Sequence, residues 1–194
     1  MNLELESMAI EMPAVVGHPN RQAFRGVLTL VDVPSTRPPS GARGHRVLLS
    51  RAAAEQALAS LLGMGLDYTP SLDGHDARRK VGIITSAEVV NFSAADQRRS
   101  TQIKDERKIS GNLRKSAAIE VQGYVFARDF PEVVRELRTN ARGLGMSYEI
   151  TGARVADMRA AVWVLTDVTF TGAAILRREK AAYRETWIEL EETS

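Results

Sequence analysis

Cysteine is missing from all 194 residues of the chain. That excludes a disulfide framework, thiolate zinc sites and a cysteine nucleophile, and it suits a reducing compartment. Neither sign of charge dominates: 26 Lys and Arg stand against 24 Asp and Glu, a formal net charge of +2, which gives no sign of a polyanion binder. No apolar run approaches the roughly 18 residues of a membrane helix. The first twelve residues carry Glu4, Glu6 and Glu11 where a secretory leader needs a basic and then an apolar stretch. The expectation is a cytoplasmic protein with neither a membrane nor a nucleic acid as partner. Without secretion, the glycosylation sequon Asn91-Phe92-Ser93 reads as coincidence.

Histidine is scarce. His18, His45 and His75 lie far apart, with no pair at the spacing that puts two metal ligands on one helix face. Gly63-Met64-Gly65 and Gly143-Leu144-Gly145 each begin like a dinucleotide fingerprint, but Tyr68 and Tyr148 stand where the third glycine belongs. No glycine-rich loop ends in Lys-Ser or Lys-Thr. The expectation is therefore neither a metal nor a cofactor.

Hydrophobic residues make up 44% and charged residues 26%, ordinary values for a globular domain with one core. Residues 1–22 read as a loosely ordered N-terminal arm, 23–180 as the functional domain and 181–194 as a C-terminal tail. Phe24 to Val33 alternates as a strand does, and the proline-rich stretch Pro34 to Gly44 is a loop. Ser50 is placed to cap a helix ended by Gly63. Leu66 to Ala77 reads as a polar loop feeding a strand, Val81 to Val90. Residues 91–118 hold seven basic residues, Arg98, Arg99, Lys104, Arg107, Lys108, Arg114 and Lys115, against Asp96, Asp105 and Glu106. Their composition predicts a mobile, solvated insertion between two strands; a docking surface for an acidic partner is the other reading.

Ile119 to Ala127 predicts a strand. Asp129 is then placed to cap a helix whose buried stripe is Val133, Val134, Leu137 and Ala141. Met146 to Ile150 and Ala161 to Phe170 predict two more strands. Strands outnumber helices and do not alternate with them, so the expected class is a mainly antiparallel α+β domain.

Three residues break their local patterns. Asp167 sits inside the most strand-like segment, where carboxylates are depleted and an ionised one needs a partner; an exposed strand edge is the alternative. Ser147 and Glu149 point away from the face shared by Met146, Tyr148 and Ile150. Gly143 and Gly145 allow the tight backbone that presents a nucleophile and places N–H groups near a developing oxyanion; a turn followed by a surface strand would look the same. His75, in Leu72-Asp73-Gly74-His75-Asp76, is a surface histidine or the base such a serine needs. Ser147, His75 and Asp167 together supply nucleophile, base and orienting carboxylate.

Four stretches resemble the tailed-phage prohead (capsid maturation) serine proteases, relatives of the herpesvirus assemblins. Leu72-Asp73-Gly74-His75-Asp76 with Val81-Gly82-Ile83 resembles the His-Asp motif and the strand after it. Ile119 to Val125, with the helix from Asp129, resembles the strand and helix before the nucleophile. Gly145-Met146-Ser147-Tyr148 is similar to the nucleophile strand. Leu165-Thr166-Asp167-Val168-Thr169-Phe170 is similar to a Leu-x-Glu-Val-Ser-Leu strand, with Asp in place of the usual Glu. Glu149 stands where many members have Gly, and Thr171-Gly172-Ala173-Ala174 replaces the usual Pro-Ala.

The resemblance implies an assemblin-like β-barrel with surrounding helices and a serine endopeptidase that cuts capsid scaffold and major capsid protein inside the assembling prohead, and often itself. It leaves room for a homo-oligomer. His75 would be base and then acid, Ser147 would form the acyl-enzyme and Asp167 would orient the imidazole; Glu149 is the substitute should Asp167 fail. A serine esterase or amidase, and a non-catalytic capsid-assembly module, remain as alternatives.

Overall fold

A computed structural model describes residues 18–92 and 116–191. Eight strands form one sheet: β1 (Gln22–Val31), β2 (Arg46–Leu49), β3 (Gly65–Tyr68), β4 (Lys80–Asn91), β5 (Ala117–Val125), β6 (Leu144–Val155), β7 (Val162–Arg177) and β8 (Trp187–Leu190). Among the described residues two short helices, α1 (Arg51–Ala57) and α2 (Pro131–Asn140), each run on into a 3₁₀ turn. The pairing order is β2-β7-β3-β4-β5-β1-β8, and β6 lies along β7. All pairs are antiparallel except β2 and β3, which both run parallel to β7. The sheet curls into a half-barrel, which makes the class α+β and largely antiparallel. Among the described residues no helix is long and apolar enough to cross a membrane.

The curl follows from burial. Phe24, Leu28, Leu49, Leu66, Ile84 and Phe170 are all but inaccessible and pack in one cluster with α1 and α2. A smaller cluster of Val27, Leu30, Phe92, Tyr183 and Trp187 covers the other side of β1. Gly26 lets the strands close up: a Cβ there would lie 2.5 Å from the Trp187 carbonyl oxygen and 2.8 Å from the Met146 sulfur. Ser50 caps α1 as expected, accepting from the Ala53 amide at 3.3 Å.

Some expectations are corrected. Asp129 does not cap α2; Phe130 holds that position without a side-chain bond, because the Asp129 carboxylate accepts from the Asn20 side-chain amide instead. Val133, Val134 and Leu137 form the buried stripe, and Ala141 belongs to the following 3₁₀ turn. The segment read as a C-terminal tail builds β8 on β1, with Trp187 and Ile188 buried. The strand expected over Ala161 to Phe170 is β7, which starts at Val162 and runs on to Arg177. Most of the arm at 1–22 and of the stretch at 91–118 lies outside the described residues; at its ends, β4 extends to Asn91 and β5 starts at Ala117.

Candidate functional site: a histidine held between two carboxylates

Residues opposite one another in a sheet project from the same face. Ser147 of β6 is in register with Ala174 of β7, Ala174 with Asp67 of β3, and Asp67 with Lys80 of β4. Ser147, Ala174, Asp67 and Lys80 therefore form one row across four strands. Glu149, two residues beyond Ser147, opposes Gly172 on the same face. The opposite face carries Met146, Leu66, Ala173, Ile175 and Val81, all in the core. A register shift in the β3–β4 ladder beside Asp67 brings Lys80 onto the polar face with Asp67.

The β3–β4 connection folds back over this row and delivers His75. Leu72 anchors it: the side chain is buried, its amide donates to Thr69 at 3.0 Å and its carbonyl accepts from Arg177 at 2.8 Å. Leu72 holds φ +54°, a left-handed conformation that a branched residue adopts only when its surroundings require it. Beyond His75, Asp76 accepts the Arg78 amide at 3.0 Å. Arg79 then bonds Glu132 at 2.6 Å and lies over the rings of Tyr68 and Phe130. The start of β6 is fixed from its other edge, where Thr186 Oγ1 accepts the Met146 amide at 3.1 Å and Arg178 donates to Leu144.

His75 Nδ1 lies 3.4 Å from Glu149 Oε1 and 3.7 Å from Asp67 Oδ2. Asp67 is wholly buried, and Lys80 Nζ donates to its other oxygen, Oδ1. Burial pushes the Asp67 carboxyl above its ordinary value; the Glu149 carboxylate adds to the push, while Lys80 and His75 oppose it. Two glycines clear the floor. A Cβ on Gly65 would lie 2.6 Å from Lys80 Cδ, and one on Gly172 would lie 2.9 Å from Glu149 Oε2. Any larger residue would displace the ion pair or the carboxylate.

The structure thus gathers His75, Glu149 and Asp67 into one cluster and puts Ser147 in the strand row beneath it. No hydrogen bond joins Ser147 to His75. Asp167 is not part of this site. It opposes Arg154 on β6, pairs with it at 3.6 Å and is 46% exposed, seven residues from Ala174 and so about 23 Å away along β7. A charged partner on a neighbouring strand, rather than a histidine, is what this strand carboxylate has. The sequence reading missed Asp67 and Lys80 by treating Leu66 to Ala77 as a loop. Asp67 flanked by Leu66 and Tyr68 carried the same signal, a carboxylate among strand formers, that singled out Asp167.

No protein-family model matches the chain, nor does any curated protein or any solved structure.

Proposed function

We propose that the chain is a serine endopeptidase in which Ser147 is the nucleophile, His75 the base, and Asp67 with Glu149 the orienting carboxylates in place of Asp167. One observation carries this reading: His75 turns Nδ1 toward two carboxylates, one of them two residues from Ser147 on the same strand face. Two carboxylates beside Nδ1 would favour a proton on that nitrogen by charge attraction, leaving Nε2 as the acceptor, the tautomer a serine nucleophile requires.

In the proposed reaction the Ser147 hydroxyl attacks the scissile carbonyl as His75 Nε2 takes its proton. The imidazolium returns that proton to the leaving amine, and water then hydrolyses the acyl-enzyme by the same route. Lys80 explains why two carboxylates are tolerable. Asp67, Glu149 and Lys80 sum to one negative charge, which the transient imidazolium neutralises. The Met146 amide bonds Thr186, away from β7. By the strand's alternation the Tyr148 amide also faces away from β7, next to the nucleophile, where it can donate to an oxyanion.

The four matching stretches favour a capsid maturation protease with an assemblin-like barrel, its substrates being scaffold and major capsid protein and its place of action the assembling prohead in the host cytoplasm; the curled sheet is compatible with that fold. The test is digestion of casein and of a capsid-protein preparation by the purified chain. Ser147→Ala should fold and lose roughly four to six orders of magnitude in turnover. Substantial cleavage by that variant would end the assignment, and ester hydrolysis without peptide cleavage would favour an esterase.

A further inference from the structure

The distances around His75 are too long for hydrogen bonds, yet short enough for the three side chains to share one ion. An N–H donor sits about 2.7–3.2 Å from its oxygen acceptor, whereas Nδ1 stands 3.4 Å and 3.7 Å from the two carboxylates. Neither His75 Nδ1 nor Asp67 Oδ2 has a hydrogen-bond partner, although both atoms are buried. Lys80 does not fill the gap, since it bonds the opposite oxygen of Asp67. One imidazole nitrogen and one oxygen from each of Asp67 and Glu149 lie within 4.8 Å of one another.

The 3.4 Å separation equals one edge of a metal's coordination sphere, and the 3.7 Å separation exceeds it by about 0.3 Å, a gap that a small side-chain rotation closes. Ligands held at about 2.0–2.1 Å in a tetrahedron stand about 3.3–3.4 Å apart. An Asp, a Glu and a neutral His offer one nitrogen and two oxygens, a set that suits zinc and leaves a fourth position for water. The buried, donorless Oδ2 of Asp67 distinguishes this cluster from an ordinary group of surface acids. Sequence spacing conceals the set, because its members come from β3, the β3–β4 loop and β6 rather than from one helix.

We infer that Asp67, His75 and Glu149 form a zinc site, and that zinc bound there switches the serine hydrolase off. The switching half rests on the function proposed above; the binding half does not. Zinc on Nδ1 would occupy the nitrogen that must carry the proton in the catalytic tautomer. The neutral imidazole then keeps its single proton on Nε2, which becomes a donor and cannot accept from Ser147. Two carboxylates and zinc sum to zero charge, and Lys80 stays on Asp67 Oδ1. Removing the metal returns the proton to Nδ1 and the base to its working form. Solvent carries the proton from Nδ1 to Nε2 as zinc binds and back again as it leaves, so one N–H bond is exchanged for the other and no bond between heavy atoms of the chain changes.

The experiment titrates the metal-free full chain with zinc chloride in a calorimeter, alongside Glu149→Gln and His75→Ala. It also follows fluorophosphonate labelling of Ser147 with and without zinc. Glu149 is partly exposed, so its Gln variant should fold, and circular dichroism checks both variants. The expected result is one zinc per chain, binding weakened in each variant by at least the roughly 10- to 100-fold that loss of a supporting group costs, and labelling suppressed by zinc and restored by a chelator. Absence of stoichiometric binding, or binding indifferent to both variants, overturns the site. Zinc that binds at these residues without slowing an otherwise rapid labelling overturns the switch. Zinc binding with no labelling under any condition would uphold the site and count against the serine mechanism instead.

Discussion

Ser147 and Asp67 face each other across a single strand, both in register with Ala174 of β7. Two interstrand spacings, about 10 Å between their backbones, separate them. The His75 ring comes down from the β3–β4 loop to lie beside Asp67 and Glu149. In the mechanism proposed above the triad would run Asp67, His75, Ser147 along the chain, with Glu149 as a second carboxylate.

Exchanging the carboxylates one at a time separates this arrangement from the one expected through Asp167. Asp167→Asn should leave turnover near normal and change stability by no more than about 1 kcal/mol, the worth of an exposed ion pair such as Arg154–Asp167. Asp67→Asn should lower kcat by up to about 10⁴, the cost of stabilising the wrong imidazole tautomer. Glu149→Gln should cost less, because solvent already screens that side chain. Steady-state peptide cleavage by the three variants gives the ranking.

Glycine at 172 should matter for activity rather than for folding. The Cβ of Gly172→Ala would meet Glu149 Oε2 at 2.9 Å, and the end of a flexible side chain can yield. The expected outcome is a melting temperature within a few degrees of the parent and a kcat reduced to about that of Glu149→Gln. Gly123→Ala makes the contrast: its Cβ would lie 2.0 Å from the Ile83 carbonyl oxygen, so that variant should fail to fold, as circular dichroism would show.

Much of the fold was readable because its strands obey period two. Period two marked β1 and β6; β4, β5 and β7 were read as strands from their segments, and Ser50 announced α1. β2 and β3, four residues each, are too short for a period to register, and Asp67 was lost with β3. The carboxylate rule was sound but pointed to Asp167 because Ala161 to Phe170 is the longer apolar run. Whether a strand carboxylate meets an arginine or a histidine depends on strand register, which no local pattern encodes. The tail at 181–194 was misjudged for a related reason: Trp187 and Ile188 are buried by pairing with β1, a partner some 160 residues earlier.

That pairing predicts a C-terminal dependence. Trp187→Ala should destabilise the chain by about 3–5 kcal/mol, the usual cost of emptying a buried aromatic site. Truncation after Thr186 should abolish cooperative unfolding altogether. Urea denaturation followed by circular dichroism measures both.

Alkaline pH should unfold the protein through two tyrosines, the partly buried Tyr148 and the buried Tyr183. Burial pushes Tyr148 up to about 12, with a bond to Thr29 opposing, and it pushes Tyr183 up as well. A free tyrosine titrates near about 10. Below that value both states hold their protons and the stability is intact. As pH rises from about 10 to 12 the unfolded chain ionises first, so stability is lost across that window. The melting temperature should fall steeply there, and less steeply in Tyr148→Phe.

The central claim is that His75 activates Ser147, and covalent labelling tests it most directly. The intact chain should react with a fluorophosphonate probe at a single site, which peptide mapping should locate at Ser147. Labelling should vanish in Ser147→Ala, collapse in His75→Ala, and persist in His18→Ala and His45→Ala. Labelling at another serine, or at Ser147 with undiminished rate in His75→Ala, would contradict the account.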